Sequence, residues 1–149
     1  MVSEVVTYID SVDGVEVTKK LYFNLTQAEL SEISMDIDGG LEGLQNRVDD
    51  DFKGNFKEYY GIIKNIITKA YGVKSKDGRT LIKPEEETLK FIASEAYSVV
   101  LDKLFTDANE TEGQSLVRFL EKVSEGARAN NAKRNPVPAP EKTIEVSTV

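Results

Sequence analysis

The 149-residue chain contains no cysteine, no histidine and no tryptophan, and only four prolines. Without cysteine it can form neither a disulfide nor a thiolate metal site, which fits a reducing cytoplasm. Without histidine it lacks the commonest general base and the commonest transition-metal ligand, so an enzyme would have to rely on carboxylates or lysine. No run of about 18 apolar residues occurs, the length that a membrane-spanning helix needs. The opening MVSEVVTYID has no basic stretch leading into an apolar core, so no secretory signal is read there. Cations are also scarce: 19 Lys and Arg stand against 26 Asp and Glu, a formal net charge of −7. That balance disfavours sequence-independent nucleic-acid binding, which needs clustered positive charge against phosphate. No phosphate-binding glycine loop, dinucleotide fingerprint or nucleophile elbow is present.

What the chain does have is 40% hydrophobic and 30% charged residues, enough to bury a core and keep a solvated surface. Its clearest periodic stretch is FKGNFKEYYGIIKNIITKAY, with Phe52, Phe56, Tyr59, Tyr60, Ile63, Ile66, Ile67, Ala70 and Tyr71 at steps of three and four. That spacing predicts a central core helix over 52–71, closed by Gly72 as a left-handed cap. Upstream, β-branched and aromatic residues flank the Asp13-Gly14 turn signal and predict a β-hairpin over 3–23. Two strands alone are marginal, so the hairpin must lie on helices or pair with a further strand.

Thr26 and Glu29 form a capping box that opens a helix, and Gly39-Gly40 stops it. A short helix follows over 41–48, and Asp49, Asp50 and Asp51 are placed at the dipole-favoured start of the central helix. Residues 73–83 read as a polar loop around Asp77-Gly78 with a small β-turn, before Pro84 at a first helical position. Helical spacing runs from Leu89 to Ala108; Ser94 is a candidate internal cap, so one helix or two both fit. Thr111 with Gln114 reads as a second capping box, leading into Leu116, Phe119, Leu120, Val123 and Ala127. From Asn130 the composition becomes proline-rich. The expected fold is α+β and mainly α: an N-terminal β-hairpin followed by five or six helices packed around the central helix. One domain would span 1–129, with a flexible tail over 130–149.

Few residues suggest chemistry. Asp36-Ile-Asp38-Gly39-Gly40 is a poor match to a calcium loop, because the third ligand and the closing glutamate are out of place. Lys74, Lys76, Arg79 and Lys83 form a small basic stretch read as a solvated turn. No catalytic, cofactor-binding or metal residues are assigned. Lys142–Val149 alternates like a strand after its proline spacer, which would suit addition to an open sheet edge, but a disordered terminus is the favoured reading.

YFNLTQAELSEI (Tyr22–Ile33), IIKNIITKAYGVKSKDGRTLIK (Ile62–Lys83) and SEAYSVVLDKLFTDA (Ser94–Ala108) resemble, in order, the small tail assembly chaperones of long-tailed, siphovirus-type bacteriophages. The likeness covers roughly residues 5 to 125. It implies a non-enzymatic protein acting in the bacterial host cytoplasm during infection and absent from the mature virion. Its partner would be the tape measure protein, kept soluble until tail tube subunits polymerise around it. The tail tube protein is a further possible partner, and self-association into a homo-oligomer is expected. Neither nucleic acid nor membrane is expected as a partner. Client contacts are expected on the last two helices, at Tyr97, Leu101, Leu104, Phe105, Leu116, Phe119 and Leu120. The alternative is a structural virion protein, a head–tail connector or minor tail component.

Overall fold

The computed structural model describes residues 1–134, apart from the side chains of Arg47, Asp49–Asp51 and Arg134. The expected hairpin forms from β1 (Val2–Ile9) and β2 (Glu16–Phe23), antiparallel in an unbroken register from Val2↔Phe23 to Ile9↔Glu16. Alternation puts Val2, Glu4, Val6 and Tyr8 of β1, with Leu21 and Phe23 of β2, on the inner face. Helices α1 (Gln27–Met35), α2 (Gly40–Asp51) and α3 (Phe56–Ala70) follow. The chain then passes directly into β3 (Tyr71–Lys74) and turns back as β4 (Leu81–Ile82). β3 pairs with β2 through Tyr22↔Gly72 and Phe23↔Tyr71, giving a sheet of order β1-β2-β3-β4. Helices α4 (Glu85–Ile92), α5 (Glu95–Glu110), α6 (Gln114–Val123) and α7 (Glu125–Arg134) complete the described residues.

The α+β, mainly helical architecture is the expected one, with local corrections. Seven helices occur among the described residues rather than five or six, because the apolar spacing runs on across two breaks. One break is Ser94, which has extended backbone and donates its hydroxyl to Phe91 O at 2.7 Å. The other is buried Ser124, whose hydroxyl donates to Leu120 O at 2.6 Å and which separates α6 from α7. The central helix is shorter than 52–71, since Phe52 caps α2 and Tyr71 already belongs to the sheet. Asp49–Asp51 therefore close α2 rather than open α3, and the dipole reading of them fails. Gly72 is not a left-handed cap. It lies in β3, where a Cβ would come 2.6 Å from Leu81 Cγ and 2.9 Å from Ile82 O, so the close approach of β4 requires glycine. Thr111 caps the end of α5, and its Oγ1 accepts from Ser115 N, while Gly113 stands at the start of α6. The expected second capping box is thus absent. Pro84 precedes α4 as its cap instead of lying inside it. The candidate strand Lys142–Val149 lies outside the described residues.

The core is continuous from the sheet to α6. Phe23 sits at its centre, with edge-on rings of Tyr71, Phe91 and Phe119 at 6.0–6.1 Å. The link from β2 to α1 ties the helix ends together. Asn24 N donates to Ala70 O at the end of α3, and Leu25 N donates to Val123 O at the end of α6, both at 2.8 Å. These carbonyls have no partner inside their own helices, so YFNLT supplies the donors that helix termini require.

Candidate functional site

Beside that link, the predicted capping box is present: Thr26 N donates to Glu29 Oε1 and Glu29 N to Thr26 Oγ1. Lys83 Nζ reaches the same Glu29 oxygen and Asn24 O, each at 2.6 Å. Burial lowers the Lys83 pKa below its ordinary 10.5, against the opposing pull of Glu29. Lys83 is therefore a clasp between β4 and the start of α1, and not part of a basic turn. Lys74 stands over the Tyr22 ring at 4.6 Å, whereas Lys76 and Arg79 are solvated. The four cations of the stretch do not converge on one ligand. Asp36 caps α1 and Glu42 belongs to the first turn of α2. Among the described residues no cluster of three or more metal-ligating side chains occurs.

The seven residues expected to meet a client separate into two groups. Leu101, Leu116, Phe119 and Leu120 are core, facing the sheet, α2 and α3. In this conformation they hold the fold, and Phe119 reaches a surface slot beneath β1. Their helical stripe is the one that buries, as amphipathic helices of globular domains usually do. Tyr97, Leu104 and Phe105 are half-buried. They point to three different places: Tyr97 edge-on against Phe91 at 5.4 Å, Leu104 into an apolar slot under β1, and Phe105 toward α3.

At Phe105 a surface does form. Phe56, from the first turn of α3, lies 6.0 Å from the Phe105 ring, and Tyr60 lies edge-on to it at 5.2 Å. Phe52 supports them from beneath, 5.7 Å from Phe56 and 5.0 Å from Tyr59. Phe56 remains 43% exposed and Tyr60 37%, making an aromatic ridge between α3 and α5. Lys57 and Lys64 are exposed on α3, with Lys64 Nζ 5.8 Å from the Tyr60 ring centre. Lys53, just ahead of the helix, is exposed too and pairs with Glu112 at 3.4 Å. Aromatic rings beside exposed ammonium groups favour apolar contact ringed by negative charge. The spacing of Phe56 and Tyr60 places them in the core, and it does not mark them as surface. The overlooked signal is that both fall in the opening turns of the helix, beyond the elements that cover its later part.

No helix among the described residues is long and apolar enough to cross a membrane. Nothing among curated proteins or solved structures matches the chain. The family model described as phage tail assembly chaperone does match, over residues 1–121, which takes in the YFNLT link, the Lys83 clasp and the aromatic ridge. The chain belongs to the phage tail assembly chaperone family.

Proposed function

We propose that this chaperone binds the tape measure protein through the ridge of Phe56, Tyr60 and Phe105 and keeps it soluble until tail tube subunits enclose it, without catalysis. The observation that carries the reading is the exposed aromatic ridge on a member of that family. A tape measure protein presents long amphipathic helices that aggregate when uncovered. A helix with an apolar stripe bordered by carboxylates fits the ridge and its neighbouring lysines. The remaining acidic surface would keep the complex soluble and repel stray anionic partners. Several copies would act on one client, in the host cytoplasm, and leave before the virion is complete.

Mass spectrometry of purified virions, together with affinity capture from infected cells, tests this. Capture should recover the tape measure protein, and mature particles should lack the chain. Stoichiometric chain in mature particles would make it a structural component instead.

A further inference from the structure

Strand β1 forms the outer edge of the sheet, and no strand of the described residues pairs with its far side. The hydrogen bond from Asp10 N to Val15 O sets the phase of the ladder. Bonded pairs in an antiparallel ladder alternate, so Asp10, Tyr8, Val6, Glu4 and Val2 bond to β2. The close approach of Thr7 Oγ1 and Thr18 Oγ1, 3.0 Å, fits the narrow, unbonded positions between them. Ser3, Val5, Thr7 and Ile9 consequently turn their backbone N–H and C=O groups outward along the edge.

Natural sheets defend such edges with charge, proline or a bulge. β1 has neither proline nor bulge. Its register is unbroken over eight pairs, it contains no proline, and its single charge, Glu4, is met by Lys103 Nζ at 3.1 Å. Val5 is 65% and Ile9 57% exposed on the outer face. Directly below the edge, Val6, Val99, Val100 and Phe119 help line an apolar slot of about 60 Å³.

We infer that β1 pairs antiparallel with β1 of a second copy about a two-fold axis at Val6, joining two four-stranded sheets into one. Self-complementarity favours a copy of this chain as the occupant, and charge at this edge does not oppose it. Chains of net charge −7 repel one another, so they can meet closely only where charge is absent or neutralised, and β1 is such a place. Odd residues must pair with odd residues for the outward groups to bond. Val5 then faces Thr7 of the second copy, Ser3 faces Ile9, and Glu4 faces Tyr8, so no like charges oppose. This register forms roughly eight backbone hydrogen bonds. It also brings the two Val6 side chains together at the slots, as a self-complementary interface requires. The inference draws on the proposed function only for the expectation that copies associate, and its test needs no client.

Sedimentation equilibrium of the full chain over a wide concentration range should show a monomer–dimer equilibrium. Thr7→Pro removes an outward N–H and obstructs the edge while sparing the bonds to β2. With its circular dichroism unchanged, it should raise the dimer dissociation constant by at least about tenfold, or 1.4 kcal/mol. Because the chain has no cysteine, a mixture of Val5→Cys and Thr7→Cys proteins reports the register. The mixed disulfide should accumulate, since bonded partners lie within bridging distance, while each variant alone stays reduced. A chain monomeric at every concentration would overturn the inference, as would equally fast bridging of either variant alone. A monomer whose β1 amides become exchangeable only on deleting residues 136–149 would overturn it too, by showing that the chain's own tail fills the edge.

Discussion

Gly113 joins α5 to α6 at a φ of +92°, with Val48 of α2 pressed against it. A Cβ there would stand 2.1 Å from Val48 Cγ2 and 3.3 Å from a Phe52 ring carbon. Gly113→Ala combines a left-handed backbone with a clash against a buried helix, and should cost roughly 3 kcal/mol in urea unfolding. A loss under about 1 kcal/mol would show that α2 can withdraw. Asp77 offers a pH test. Its carboxylate accepts from Ser75 Oγ at 2.6 Å and Arg79 N at 3.0 Å, and these bonds, the hydroxyl first, lower its pKa below the ordinary 3.8. A depressed aspartate contributes stability that is present above 3.8 and is lost as pH falls through the lowered value. The Arg79 amide shift should therefore titrate below 3.8; a midpoint at or above 3.8 would contradict the turn geometry. At this scale the sequence was legible where partners are neighbours. Thr26 and Glu29 are three residues apart and read correctly, whereas Thr111 and Gln114 have the same spacing and do not form the box. The close approach of Val48 to Gly113 comes from a helix far upstream, and no local pattern contains it.

Elements were legible by type and less so by extent. Step-three-and-four spacing passes from Phe52 through Tyr71, yet that stretch serves a cap of α2, a helix and a strand. Periodicity records which side chains face the core, and neighbouring elements sharing one core continue the same rhythm. The β3–β4 hairpin was only a turn in the sequence, because β4 is two residues long and owes its place to pairing with Val73 and Lys74. The start of α1 is the element boundary that the sequence specifies best. Thr26→Ala removes one half of the capping box and should lower stability by about 1 kcal/mol. Lys83→Met removes the clasp from Asn24 O and Glu29 and should cost about 1–2 kcal/mol. The two changes share Glu29, so the double variant should depart from additivity. Simple addition would mean that the clasp and the cap act separately.

For the whole molecule, the hydrophobic pattern identified the faces that bury without showing where cover ends. Leu101, Leu116, Phe119 and Leu120 proved to be core, while Phe56 and Tyr60, on the helix expected to be most central, reach solvent. The surface left over has an aromatic ridge beside lysines at the junction of α3 and α5, and an unpaired strand edge at β1. If the ridge takes the client and the edge takes a second copy, damage to one should spare the other. Thr7→Pro should weaken dimers and leave client capture measurable, and ridge substitutions should do the reverse. The most direct measurement is client solubility on co-expression of the tape measure protein with wild-type chain or with the Phe56→Ser/Tyr60→Ser variant. Wild type should hold the client in the soluble fraction. The variant, with unchanged circular dichroism and dimerisation, should release most of it to the pellet and bind at least about tenfold more weakly. A folded variant that keeps the client fully soluble would contradict the ridge as the client surface.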